Sequence, residues 1–402
     1  MRTDFVLHNN RMFFDRYMRE KTIDETFSLP LDSNSEDNYE SACLAISQFL
    51  IQSPQVQNGF AKMFAQYNSL QYSTKRAFLE AVYATYPQEY KKEFQQLIVK
   101  ETEPKLFAMQ ALYLFKNDGS KNNLKFIQTQ MQQSFPQNDT LILLGELKKY
   151  LVNTNTYKKQ SAPNIISLFN HQKNLHQKII YSFQRWNRDF PGIAIIQNAD
   201  GNFAKDSFGK LLTFQQLARS ASNLPYFITN GNTPQGIFSI TGVQIDHNNF
   251  IGPTPTIQLV MPFEEDSIYW QTPYDSTKDA LTNYLDLLPD NWKKYQPITE
   301  AFFAGKIGRT EIISHGTTLD PDYFKGKPYY PISPTLGCLC AKETWNIFTG
   351  KLLQSEQLNL VNTFLSTPND TGYLFVINID DEQKPVAAME AEELVKQFES
   401  NK

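Results

Sequence analysis

Cysteine is scarce in this 402-residue chain, occurring at Cys43, Cys338 and Cys340. An odd number with no spaced framework argues against a disulfide scaffold. CxxC and HExxH patterns are missing, which removes the common signatures of a zinc site, and no cofactor motif replaces them. No block of basic residues occurs. With a net charge of −4 and a pI near 5.8, nucleic acid is not the expected partner. No apolar run approaches the ~20 residues that span a bilayer, so no transmembrane segment is expected. The first eight residues, MRTDFVLH, lack the apolar core of a signal peptide. That fits a cytosolic protein and a mature or trimmed form equally.

What is present is enough apolar material for substantial cores. Hydrophobic residues make up 41% and aromatics 13%, which excludes global disorder, and the length suggests two domains. Residues 1–160 read as a helical domain. Residues 37–50 carry Tyr39, Ala42, Cys43, Ile46, Phe49 and Leu50 at helical spacing, which makes Cys43 a core residue. Similar periodicity predicts helices over 73–86, 88–99, 104–115, 122–132 and 140–151. Ser73, Glu103-Pro104 and Asn138-Asp139 mark helix starts. Three stretches look like copies, beginning at Phe78, Phe107 and Leu141. Ala81 and Ala111 are thirty residues apart, and Leu112 and Leu143 thirty-one. A repeat near that length suggests a small helical array resembling HEAT-type repeats, with a protein partner on its surface; an ordinary helical bundle stays open beside it.

Residues 158–164, KKQSAPN, read as a connector. A helix is expected from about Ile165 to Arg188, so that 161–190 form a linker and connecting helix. Beyond Pro191-Gly192 the texture changes to short β-like runs at 193–197, 226–229, 236–241, 257–260, 310–314 and 373–379, separated by glycine and proline. A β-rich domain over 191–385 and a C-terminal helix or tail over 386–402 complete the prediction. The fold class is α+β by segregation.

Within the β-rich half, His315-Gly316-Thr317 ends one of the β-like runs, and Thr335-Leu336-Gly337-Cys338 follows twenty-three positions later. Histidine is the best general base at neutral pH, and cysteine the best nucleophile once its thiolate forms. A glycine directly before the cysteine lets successive backbone N–H groups turn toward a developing oxyanion. The pair reads as an acyl-transfer site.

Several stretches then match one family pattern in order. Residues 233–240, TPQGIFSI, resemble the TPxGxFxI stretch of the L,D-transpeptidase (YkuD-type) catalytic domain. His315-Gly316-Thr317 resembles its IHGT, and residues 333–338, SPTLGC, its (S/T)HGC. Residues 372–377, GYLFVI, look like its closing strand. The resemblance covers about 190–380 and leaves the helical half aside. Leu336 stands where most members have histidine, Cys340 where arginine or asparagine is common, and the His–Cys spacing is longer. These departures put pocket shape and substrate preference in question.

The resemblance implies that Cys338, deprotonated by or ion-paired with His315, attacks a peptidoglycan stem peptide to form a thioester. An amine acceptor then gives a 3-3 cross-link, and water instead gives an L,D-carboxypeptidase. It implies oxyanion donors at Gly337 and Cys338, the Gly316 carbonyl as holder of the second ring nitrogen, and a periplasmic or cell-envelope location. Thr335, Thr317, Tyr329, Tyr330 and Trp345 are candidate substrate contacts. Cys340 is expected to be a packed small side chain, and His247 solvated. Asp246, Glu264 and Glu265 show no distinctive spacing. Competing readings are an amidase on the same site, a cytosolic cysteine peptidase, and a catalytically silent envelope-binding adaptor.

Overall fold

A computed structural model describes residues 1–157 and 161–401. Of the expected connector, positions 158–160 lie outside the described residues. The chain forms two compact units. One holds His8–Thr154 together with Ser220–Gly231; the other holds Met1–Leu7, Asn155–Arg219 and Asn232–Lys402.

The first unit is helical. A helix α1 (His8–Arg16) runs into a π-helical stretch (Tyr17–Glu25) and a short α2 (Thr26–Ser28). Then come α3 (Glu36–Phe49), α4 (Pro54–Gln66), α5 (Tyr72–Thr85), α6 (Lys91–Ile98), α7 (Pro104–Asn117), α8 (Lys121–Ser134) and α9 (Ile142–Tyr157). Local chemistry sets several ends. Ser53 accepts the Val56 N–H before Pro54, and Ser120 accepts that of Asn123. Leu50 closes α3 in a left-handed conformation, φ 52°. α5 and α7, which carry two of the similar stretches, pack on each other, and α3 packs on α5.

Residues 226–229 correct the sequence reading. They form turns rather than a strand, and the segment Ser220–Gly231 belongs to the helical unit. Pro225 and the Gly231 turn stop any ladder, while Leu224, Phe227 and Ile228 are fully buried. Phe227 meets the Tyr150 ring of α9 with centroids 5.9 Å apart. The apolar pairs that mimic a strand are there to complete a helical core.

In the second unit, α10 (Ile166–Leu175) is shorter than expected. His176, at φ 52°, ends it, and the next residues form β1 (Lys178–Arg185). Alternating Ile179, Tyr181 and Phe183 favour a strand, so the expected helix to Arg188 is corrected. The remaining strands are β2 (Gly192–Gln197), β3 (Phe214–Leu217), β4 (Gly236–Gln244), β5 (Thr256–Val260), β6 (Ile313–His315), β7 (Leu339–Ala341), β8 (Glu343–Trp345), β9 (Leu352–Ser355) and β10 (Gly372–Asp380). A closed barrel runs β1-β10-β4-β5-β6-β7-β3-β2, and β8 and β9 form a separate ribbon. β1 with β10 and β6 with β7 are parallel; the other pairs are antiparallel.

Two cores follow from the period-two alternation of the strands. Outward residues such as Tyr181, Phe183, Ile195 and Phe375 pack under α10 and α15 (Ala388–Ser400) and beside α11 (Asp266–Tyr269), α12 (Ala280–Asp286) and α13 (Glu300–Lys306). Inward positions include a buried polar chain. Gln184 donates to Ser182, Ser182 to Gln216, Gln216 to Ser314, and Ser314 to Gln357 of α14 (Glu356–Leu365). Ser314 therefore faces the interior, and its neighbour His315 faces the other way.

Candidate active site

β6 is short for a backbone reason. Residues 310–314 are expected to be extended, but Glu311 sits at φ +62°, so pairing starts only at Ile313. A left-handed non-glycine residue is a strained position of the kind that clusters at functional sites. The Glu311 N–H donates to Glu264 at 2.7 Å, and its carbonyl accepts from the Cys338 thiol, Sγ to O 3.6 Å.

Register relates the strands that carry the two candidate residues. In the parallel β6–β7 pair, Ser314 lies opposite Leu339 and His315 opposite Cys340. Cys338 lies in the bend directly before β7, two residues ahead of Cys340, and its thiol reaches back to the Glu311 carbonyl before β6.

The loops around them are tightly hydrogen-bonded. His315 Nδ1 and the Gly316 carbonyl are 2.5 Å apart, which fixes the ring with Nε2 as the available nitrogen. Gly337 takes φ +119°, a conformation suited to glycine. Its carbonyl accepts from the Thr233 hydroxyl at 2.8 Å, so the TPQG stretch anchors the turn before Cys338. Its N–H donates to Thr335 Oγ1 at 3.1 Å and is engaged within the loop, while the Thr335 hydroxyl donates to the Cys338 carbonyl at 2.9 Å. Thr335 is therefore a loop-bonding residue.

The other candidates are spread out. Thr317 donates its hydroxyl to Phe250 O at 3.2 Å, and its carbonyl accepts from Trp345 Nε1 at 2.9 Å. Trp345 and Tyr329 are buried; the Arg219 guanidinium lies over the Tyr329 ring, 4.6 Å from its centre. Among the aromatic candidates Tyr330 is exposed, its hydroxyl bonded to Asp322. Leu336 is exposed beside the nucleophile turn, Cys340 is fully buried and His247 is exposed.

Electrostatics favour a neutral pair. Burial lowers the pKa of His315, opposed by its bond to Gly316 and the charge of Asp246. Burial raises Cys338 to about 11, against a backbone hydrogen bond at Ile313 and the Arg309 cation that favour the thiolate. At neutral pH the site holds imidazole and thiol.

Sequence reasoning passed over Glu343. Its carboxylate accepts the Thr317 N–H at 3.0 Å and the Ser355 hydroxyl at 2.6 Å. The available signal was a lone carboxylate between buried Ala341 and Trp345. Arg309, which donates to Asn232 O at 2.9 Å, was also unmarked. The one acidic trio close enough to hold a metal among the described residues, Asp380, Glu382 and Glu390, is already paired with the buried Arg185 guanidinium.

Compared with protein-family models, curated proteins and solved structures, the chain matches none. Among the described residues no helix is long and apolar enough to cross a membrane.

Proposed function

We propose that the β-rich unit is a cysteine acyltransferase of the L,D-transpeptidase type, acting on peptidoglycan stem peptides in the cell envelope. One observation carries this reading: His315, its Nδ1 held by the Gly316 carbonyl, ends β6, and a partly exposed Cys338 follows the glycine turn that opens the adjacent parallel strand β7. That is the arrangement a base–nucleophile pair needs.

The reaction starts from the neutral pair. Nε2 of His315 takes the thiol proton as Sγ attacks the donor carbonyl carbon. The tetrahedral intermediate collapses by breaking the C–N bond, and the imidazolium returns its proton to the leaving amine. A thioester remains. An acceptor amine then gives up a proton to His315, attacks the thioester carbon and releases the thiol; water as acceptor gives the acid. The Cys338 N–H is the proposed oxyanion donor, and Gly337 joins only by releasing Thr335. The helical unit, with α3, α5 and α7 packed in series, is proposed to carry a protein partner as HEAT-type arrays do.

A silent binding domain is the second reading. It is favoured by a thiol that is protonated at neutral pH and bonded to Glu311 O. Intact-mass spectrometry after incubation with a carbapenem separates the two. A covalent adduct on the wild type and none on Cys338→Ala supports acyl transfer. No adduct on either folded protein supports the silent domain.

A further inference from the structure

The peptide unit joining Gly316 to Thr317 touches two acid–base groups at once. Its carbonyl bonds His315 Nδ1 at 2.5 Å, and its N–H donates to Glu343 Oε2 at 3.0 Å. The other carboxylate oxygen accepts from Ser355, the cross-strand partner of Glu343 in the β8–β9 ribbon, at 2.6 Å. Ser355 also accepts the Leu358 N–H at the start of α14, so the acid sits on a fixed base. A Cβ built on Gly316 would lie 2.2–2.5 Å from the Glu343 carboxyl atoms. The carboxylate therefore rests directly on the Gly316 backbone, and space explains this glycine.

We propose that Glu343 is the distal member of a Cys338–His315–Glu343 relay, coupled to the imidazole through the Gly316–Thr317 peptide as a positioning residue. This assignment rests on the acyl-transfer reading above. The physical basis is cooperative polarisation: an amide whose N–H donates to a carboxylate is a stronger acceptor at its C=O. That strengthened acceptor holds Nδ1–H and stabilises the imidazolium formed as His315 takes the thiol proton. A side-chain carboxylate in a Ser-His-Asp triad acts on the ring directly; here one peptide intervenes. Burial raises the Glu343 pKa, and the donors Ser355 and Thr317 favour its anion. Cys340, Asp246, Arg309 and Glu311 are the other titratable groups whose charges act on the cluster.

Glu343→Gln keeps the shape and an acceptor for Thr317 but removes the charge. Two readouts are taken on full-length protein, the pH profile of carbapenem acylation and the NMR titration of the His315 ring. The expected result is a roughly ten- to hundred-fold slower acylation, typical of a group acting through another residue. The His315 midpoint should move further down while the melting temperature stays put. An unmoved midpoint in the folded variant overturns the relay, even if acylation persists. If the wild type is never acylated, the acyl-transfer reading fails, while the His315 midpoint still decides the relay. Should Glu343→Gln not fold, the Thr317 amide resonance of the wild type must shift as His315 titrates, and a static resonance overturns the relay.

Discussion

At the residue scale, the site's chemistry is set by burial more than by partner charges. His315 is depressed and Cys338 raised, and desolvation is the largest cause of each. The signs give a pH window. Between the folded and unfolded pKa of His315 the unfolded chain binds more protons. Its stabilising contribution is therefore complete above the unfolded value of ~6.5 and lost as pH falls through the folded one. For Cys338 the contribution is complete below the unfolded thiol value of ~8.5 and lost as pH rises toward about 11. Urea unfolding at pH 5, 7 and 10 should show Cys338→Ala losing less stability than wild type between pH 7 and 10. Between pH 7 and 5 the two should fall in parallel. Equal losses on the alkaline side would mean that the thiol is not desolvated in solution.

At the scale of elements, the reactive strands are short and their placement depends on side chains from elsewhere. Only three residues make β6, and Gln357 of α14 holds the middle one. Its Nε2 donates to Ser314 O at 2.9 Å and Pro255 O at 3.2 Å, and its Oε1 accepts from the Ser314 hydroxyl. Gln357→Leu would take this donor from Ser314 O and Pro255 O and the acceptor from the Ser314 hydroxyl, which keeps only its bond from Gln216. The expected cost is roughly 2–4 kcal/mol, since each orphaned polar group costs about 1–3. Hydrogen exchange at Ser314 and His315 should accelerate with it. Unchanged exchange there would place the anchoring of β6 in the barrel ladder alone.

At the scale of the whole molecule, the chain leaves the β-rich unit at Arg219 and returns at Asn232. In between it supplies Leu224, Phe227 and Ile228 to the helical core. Phe227→Ala in the full chain should therefore destabilise the helical unit by about 3–5 kcal/mol, the usual cost of emptying a buried aromatic site. Hydrogen exchange in α9 around Leu147 should speed up while that of β1 and β10 does not. The reverse pattern would assign the segment to the other unit.

The helices over 36–49, 72–85 and 104–117 and the strands β2, β4, β5 and β10 were legible in the sequence, because a 3.6 or 2 periodicity is written locally by apolar spacing. His315, Gly316, Gly337 and Cys338 stood out as candidates because imidazole and thiol are acid–base and nucleophilic groups by type, and glycine beside them frees the backbone. Other features needed the tertiary structure. Strand β1 was masked because Leu175, Ile179 and Phe183 also lie at helical i, i+4 spacing, the left-handed turn at Glu311 by ordinary composition, and Ser220–Gly231 by apolar residues that also suit a strand. Glu343 was hidden for the same physical reason: its role comes from lying against Gly316, twenty-seven positions earlier in the chain, and no local pattern records that contact. The sequence by itself determined which residues carry acid–base and nucleophilic groups; the fold decided which strands and turns hold them and which side chains surround them, because those contacts are made between segments far apart in the chain.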